Sequence, residues 1–297
     1  MSGVPHATQR PSLTHPEKRL WPASEPPVTK SDLAAYFTDM AEPLLAHLQG
    51  RPCSLLRAPD GVSGETFLQR HPPPGVRAFT PVWDEASGGE YFTIDSVEGL
   101  VAAAQLDAVE LHPWNCAPFR PGEPGRLVID LDPAPGVTFA HVVAAAHEVR
   151  ERLADVRLVA FCKTTGGKGL HVTAPILAGE LGWDAAIGFA RKFCRLMAAD
   201  APDRYLIAES KSGRAGRIFL DYLRNARAAT AVAPWSPRAR PGATVATPLA
   251  WSEAAASLDP ATLTIWTAPR RAAADPWSGY TEAARPLAAA IAAMGGL

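Results

Sequence analysis

The stretch Leu127-Val128-Ile129-Asp130-Leu131-Asp132-Pro133 decides how this chain is read. Its apolar and β-branched residues favour an extended strand, and a proline is suited to the end of one. Alternate side chains of a strand share a face, so Leu127, Ile129 and Leu131 point one way and Val128, Asp130 and Asp132 the other. Two carboxylates then stand about 7 Å apart at the Cα level, at the strand's C-terminal end. Buried like charges repel unless a cation lies between them, and a divalent metal with oxygen ligands is such a cation. The same Asp-x-Asp-Pro also fits a plain turn in which Asp130 caps the backbone.

Outward from this strand the pattern is strand–helix–strand. Residues 138–153 predict a helix, with Phe139, Val142, Val143, Ala146, Val149 and Leu153 on one stripe. Residues 156–162 predict a second strand, 163–169 a tight glycine-rich turn, and 170–176 a further extended run. Residues 183–199 predict a second amphipathic helix, 218–223 another strand, and 280–294 a helix in the tail. Upstream, Ser31 or Asp32 reads as a helix cap before Leu33, Tyr36, Phe37, Met40 and Leu44, with Pro43 forcing a kink or break. Residues 51–115 read as short strands with turns at Pro59-Asp60-Gly61 and Ser87-Gly88-Gly89. Residues 1–28, rich in Pro, Ser and Thr, are expected to drape over the rest or fray, leaving 29–297 as a single domain. The fold class is α/β with mixed sheets.

The chain has 297 residues, 47% hydrophobic and 20% charged, which excludes a disordered protein. Its four cysteines, Cys53, Cys116, Cys162 and Cys194, show no zinc spacing and are too sparse for a disulfide scaffold. No apolar run is long enough for a membrane span, and residues 1–12 do not read as a signal peptide, so a soluble cytoplasmic protein is expected, with no membrane partner. The net charge of −1 hides an asymmetry. Residues 72–123 carry eight acidic residues against two arginines, and 204–240 carry eight basic residues against Glu209 and Asp221. Arginine-rich stretches suit phosphate, which the guanidinium fork binds bidentately, although ordinary solvated faces produce the same composition.

Two further features carry chemistry. Lys163-Thr-Thr165-Gly-Gly167-Lys168-Gly169 joins two strands; its glycines let the backbone approach a ligand and turn N–H groups inward, and Lys168 adds a point charge for phosphate. The spacing is not that of a Walker A loop, and a β-hairpin turn uses the same residues. In the stretch Arg214-Ala-Gly-Arg-Ile-Phe-Leu-Asp221-Tyr-Leu-Arg224-Asn225, Asp221 interrupts an apolar strand, where an unpaired charge is costly. Its partner is either a nearby arginine or the cation that Asp130 and Asp132 need. Together these features ask for one ligand, a metal-bound polyphosphate.

At these residues the sequence resembles the primase-polymerase domain of bacterial ATP-dependent DNA ligase D, a member of the archaeo-eukaryotic primase superfamily that works in non-homologous end joining. The resemblance runs from Leu13-Thr-His-Pro-Glu-Lys18 to about Arg271. It rests on Leu111-His112-Pro113-Trp114, the Asp130/Asp132 pair, the Thr165–Gly169 loop, Asp221-Tyr-Leu-Arg-Asn-Ala-Arg227 and the run from Thr230 to Gly242. It implies a primase-polymerase fold with a catalytic β-sheet core, formed from two abutting sheets, and flanking helices. It implies a template-directed nucleotidyltransferase adding ribo- or deoxyribonucleotides to a 3′ end at a DNA break or gap. Asp130, Asp132 and Asp221 would be catalytic and hold two divalent ions, Mn or Mg. His112 and Thr165 would contact the nucleotide sugar, and Gly167, Lys168, Arg214 and Arg238 or Arg240 the triphosphate. Lys18, Lys30 and Arg57 would read a 5′-phosphate on DNA, and Phe67 would stack on a template base. Ku and a ligase would be partners, the ligase in trans or on the same polypeptide. The chain departs from the family in having Leu68 beside Phe67, Arg70 where lysine is usual, Leu55-Leu56-Arg57 where basic residues cluster, and Thr165 where serine is common. A non-catalytic DNA-end-binding module that recruits a ligase or Ku is the alternative.

Overall fold

The computed structural model describes residues 13–207 and 215–297; Arg214 and residues 1–12 lie outside that range. Among the described residues there are two large hydrophobic cores and a small cluster of Trp114, Cys116 and Trp183. The first begins with β1 (Arg19–Trp21), which pairs antiparallel with β2 (Val28–Thr29). Leu20, Trp21 and Val28 are buried, so this part of the segment expected to drape forms a ladder packed into the core. Thr29 caps α1 (Lys30–Asp39): its hydroxyl accepts from the Asp32 N–H while the Asp32 carboxylate accepts from the Thr29 N–H. The cap is therefore Thr29, not Ser31 or Asp32, which occupy the first turn. The chain breaks at Met40 before α2 (Ala41–Leu48), with Pro43 in the first turn, where its missing N–H leaves no helical bond unmade.

Strands β3 (Cys53–Arg57) and β4 (Phe67–Gln69) pair next, followed by the hairpin of β5 (Thr80–Asp84) and β6 (Gly89–Thr93). Residues 97–105, expected to continue the short strands, form α3 (Val97–Gln105) instead. Ser96 caps it by accepting from the Gly99 N–H, and Leu100, Ala103 and Ala104 are buried against α1. A cap followed by an apolar, alanine-rich turn wins over the strand-like surroundings. Strand β7 (Ala108–Pro113) completes an antiparallel sheet in the order β4–β3–β7.

The second core is built on the deciding stretch. The short pair β8 (Cys116–Ala117) and β9 (Arg120–Pro124) leads into β10 (Arg126–Pro133), then α4 (Phe139–Asp155). Residues 156–160 are not strand. Arg157 takes φ +65°, Leu158 N–H donates to Leu153 C=O, and Arg157 N–H donates to Ala154 C=O. This closes the helix with a Schellman motif, and buried Val156, Leu158 and Ala160 fill the core as loop. Strand β11 (Phe161–Thr164) starts only then, followed by β12 (Leu170–Pro175), α5 (Trp183–Asp200), β13 (Tyr205–Leu206) and β14 (Ile218–Asp221). The strand expected to reach 223 stops at Asp221, whose carboxylate accepts from the Leu223 N–H and starts a 3-10 turn, Leu223–Asn225.

With β15 (Pro248–Leu249), the six-stranded sheet runs β13–β14–β10–β12–β11–β15, antiparallel except for β13–β14. Leu127, Ile129 and Leu131 pack into the core with the buried stripes of α4 and α5, as the alternation predicts. The tail holds α6 (Ala268–Ala272) and α7 (Leu287–Ala293), shorter than the helix expected over 280–294 because Pro286 sets its start. Residues 230–249 cross between the cores: Ala233, Trp235, Ala243 and Val245 belong to the first, Leu249 to the second. No helix among the described residues is long and apolar enough to cross a membrane.

Candidate active site

An open cavity of about 300 Å³ lies where the two sheets meet. His112 comes from β7 of the first sheet, and Asp130, Asp132 and His171 come from β10 and β12 of the second. Thr165, Lys168 and Gly169 supply the loop between β11 and β12, and Thr230, Arg238 and Arg240 the crossing segment.

Strand register explains the acidic wall. Asp130 stands directly opposite His171 on β12 and opposite Asp221 on β14, while His171 stands opposite Lys163 on β11. Directly opposed residues share a face, so Lys163, His171, Asp130 and Asp221 form one row across four strands. Asp132 follows two residues on from Asp130, on the same face, and is exposed. Burial resists the charge of Asp130, but His171, Arg224 and Lys163 beside it hold its carboxyl down to about 2. Asp221 goes the other way: burial raises its pKa, and the Asp130 charge adds to that, against Arg224. Two neighbouring carboxylates thus differ in their hold on a proton. Burial and the Lys163 charge lower His171 to about 4, so it is a neutral imidazole at pH 7, with Nε2 3.4 Å from Asp130 Oδ1.

The guanidinium of Arg224 lies across the row, Nη2 2.9 Å from Asp221 Oδ2 and Nε 3.4 Å from Asp130 Oδ2. The partner that Asp221 needs is therefore this arginine. Arg224 follows Asp221 by three residues because the 3-10 turn brings it back over the strand end. Asn225 fixes that turn: its Oδ1 accepts from Val128 N–H at 2.8 Å and its Nδ2 donates to Val128 C=O at 2.7 Å and Tyr222 C=O at 2.8 Å. The side-chain amide thereby extends the β10 ladder by one rung beyond the end of β14.

The basic wall is the loop and the crossing segment. Gly166 takes φ +69°, and a Cβ on Gly169 would lie 2.6 Å from the Leu131 carbonyl, so the loop rests directly on β10. The Thr165 hydroxyl donates to Gly169 C=O at 3.1 Å. Arg240 packs on Gly167, whose Cβ would lie 3.0 Å from the Arg240 Cζ. Arg238 donates to Thr165 C=O and pairs with Glu110, whose other carboxylate oxygen lies 2.7 Å from His112 Nε2. Glu110 also accepts from Ala239 N–H. Burial opposes its charge, yet His112 and Arg238 hold the Glu110 carboxyl down to about 2. Sequence reading missed Glu110; the signal was its two-residue spacing from His112 within an apolar strand. Lys168 and Arg240 are exposed and make no ion pair among the described residues.

The DNA-binding candidates form a separate group. Lys18 and Lys30 meet on Asp107 at 2.7 and 2.9 Å, and Lys30, 3% exposed, also donates to Gln105 C=O. Arg57 donates to Leu106 C=O and lies 5.0 Å over the Phe67 ring, itself 43% exposed. Three cations from separate elements therefore converge on residues 105–107, a carboxylate and carbonyl cluster that the sequence did not announce.

A donor set of three carboxylates is suited to a hard divalent cation of the Mg or Mn class. The position of Arg224, touching two of them, shows that the row accommodates a positive charge. As the side chains stand, with that arginine between them, no three acidic, histidine or cysteine groups among the described residues grip one point.

Comparison with known proteins bears on the fold and the family. The polymerase domain from Mycobacterium tuberculosis ligase D, in complex with DNA, is similar with a TM-score of 0.82 and 33% identity, over 93% of this chain and 99% of that one. The multifunctional non-homologous end joining protein LigD of Pseudomonas aeruginosa is 34% identical over 293 residues, covering 96% of this chain and 34% of that protein. The LigD of Mycobacterium tuberculosis is 36% identical over 257 residues, covering 82% of this chain and 33% of that protein. The chain thus spans about a third of the length of these LigD relatives. Fold and relatives define an enzyme of the polymerase, or nucleotidyltransferase, class. The match to the LigD primase-polymerase domain covers residues 29–277, and the chain belongs to that family.

Proposed function

We propose that this protein is a template-directed nucleotidyltransferase that extends a 3′ end with ribo- or deoxyribonucleotides at DNA breaks or gaps, in non-homologous end joining. The observation that carries the proposal is the pairing of walls. Asp130, Asp132 and Asp221 share one sheet face, the first two lining the cavity, and Lys168 and Arg240 face that cavity without ion-pair partners among the described residues. Binding DNA alone gives no reason to gather three acids beside a phosphate-seeking loop.

In this reading Asp130, Asp132 and Asp221 hold two divalent ions, Mn or Mg. When bound, these supply a charge that acidifies the primer 3′-hydroxyl and neutralises the triphosphate and leaving pyrophosphate. The chain's own residues supply alignment. Lys168 and Arg240 hold the triphosphate, with Arg214 as a further contact. Arg238, tied to Glu110 and Thr165, instead shapes the pocket and keeps His112 and the loop in register. His112 and Thr165 face the sugar, where hydrogen bonding to a 2′-hydroxyl favours ribonucleotides. Lys18, Lys30 and Arg57 form the 5′-phosphate site on the downstream strand, with Asp107 as their counter-charge in its absence, and Phe67 stacks on the template. Ku and a ligase act on the same ends.

Primer extension on a gapped duplex with Mn²⁺ tests this, comparing ribo- with deoxyribonucleotides and phosphorylated with unphosphorylated gaps. Template-matched extension favouring ribonucleotides is expected from the parent, with a loss of at least about a hundredfold in D130N and retained DNA binding. Extension unaffected by D130N would overturn the site. No extension by a folded parent that binds the gap would favour an end-binding module.

A further inference from the structure

We infer that Arg224 is the resident counter-cation of the acidic row, displaced when metal binds; this rests on the metal-dependent reading above. Asp130 and Asp221 stand directly opposite one another on neighbouring antiparallel strands, which sets their Cα atoms roughly 5 Å apart. Two carboxylates so placed cannot both be charged without a cation, and in the structure the guanidinium is that cation. A divalent ion held by the same oxygens competes with it for the same place.

The arginine is built to leave. Its backbone is pinned: Asn115 Nδ2 donates to the Arg224 carbonyl at 2.8 Å, and the Asn225 amide clamps the next residue to Val128. Its side chain is 41% exposed, and its remaining hydrogen bond, Nη1 to Thr230 C=O, is long at 3.4 Å. The pivot is therefore fixed by hydrogen bonds, while the half-exposed arm is held by its two ion pairs and that one long bond. Swinging away from the carboxylates moves the arm into the cavity that Arg224 already lines with Lys168 and Arg240, where a triphosphate would lie. Metal entry thereby releases one more positive charge to the nucleotide. Without a divalent ion, the same charge offsets the repulsion between Asp130 and Asp221.

The test is Mn²⁺ binding, followed by electron paramagnetic resonance of the free ion, with the whole chain and neither DNA nor nucleotide present. Parent, R224Q, R224K and D221N are compared. Removing a competing, partly exposed ion pair makes R224Q bind Mn²⁺ about fivefold more tightly than the parent. R224K, which keeps a charge, stays within about twofold of the parent, and D221N binds more weakly than all three. Melting curves with and without Mn²⁺ give a second readout: R224Q is expected to show the larger metal-induced rise. Equal or weaker Mn²⁺ binding by folded R224Q overturns the inference and leaves the metal site standing. No Mn²⁺ binding by the parent overturns the metal-dependent reading itself.

Discussion

Replacing Asn225 by alanine tests whether a single side-chain amide holds β10 in place. Asn225 is fully buried, and its amide satisfies both the N–H and the C=O of Val128, itself 3% exposed, two residues before Asp130. Alanine leaves both groups buried without partners, at about 1–3 kcal/mol each, so a loss of about 4 kcal/mol is expected. Against a typical domain stability of about 5–15 kcal/mol, that is a large fraction. Urea unfolding followed by fluorescence measures it, with an unchanged slope showing that the native state, not the unfolded one, was altered. Asn225→Asp sharpens the test. It keeps an acceptor for Val128 N–H but turns a carboxylate oxygen towards the Val128 and Tyr222 carbonyls. It is expected to cost at least as much as alanine at pH 7 and less at pH 4, where a protonated carboxyl can donate. A cost below about 1 kcal/mol for alanine, with extension unchanged, would refute the idea that this rung orders β10.

Glu110→Gln is expected to flatten the acid limb of stability. The Glu110 carboxyl is held near 2, below its ordinary 4.5, so its contribution is present above pH 4.5 and lost as pH falls towards 2. The size is about 3 kcal/mol, read from unfolding midpoints across that range. Gly169→Ala should lower extension at least tenfold while the chain still folds, because the added Cβ meets the Leu131 carbonyl and lifts the loop off β10. Steady-state kinetics should place the loss in the nucleotide KM as well as in kcat. Asp107→Asn should cost about 3 kcal/mol by leaving the Lys30 ammonium buried without a counter-charge, and adding Lys30→Met should recover part of it in urea unfolding.

The acidic wall was legible because its grammar is local. Strand alternation put Leu127, Ile129 and Leu131 into the core and Asp130 and Asp132 on the other face. The glycine-rich loop was legible for the same reason: five residues between two strands leave few other conformations. What stayed hidden depended on distant pairing. Nothing near Asp107 says that Lys18 and Lys30 will meet on it, 89 residues away in the first case. Glu110 bonds to Ala239, 129 residues on. Asn225 looked like the end of a motif, yet its work is done on Val128, 97 residues back. The misread elements have the opposite cause. Residues 156–160 and 97–105 are apolar enough for strand, and local caps decided the matter: Arg157 in the left-handed region and Ser96 ahead of a helix.

Every residue that lines the cavity falls between His112 and Arg240, yet half of the cavity's footing is made elsewhere. The strand that presents His112 lies on β3 and on a core containing Leu20, Trp21, Leu33, Phe37 and Leu44, all from the first 58 residues. The crossing segment leans on the same ground: Trp21 donates its indole N–H to the Arg238 carbonyl, and Tyr36 its hydroxyl to that of Trp235. A shortened gene copy starting after Ala58 would therefore keep every cavity residue, pass a motif search as intact, and encode an inert protein. Among the described residues, those within the first 58 of the 297 thus contribute nothing to the cavity's lining and much of what holds that lining in place.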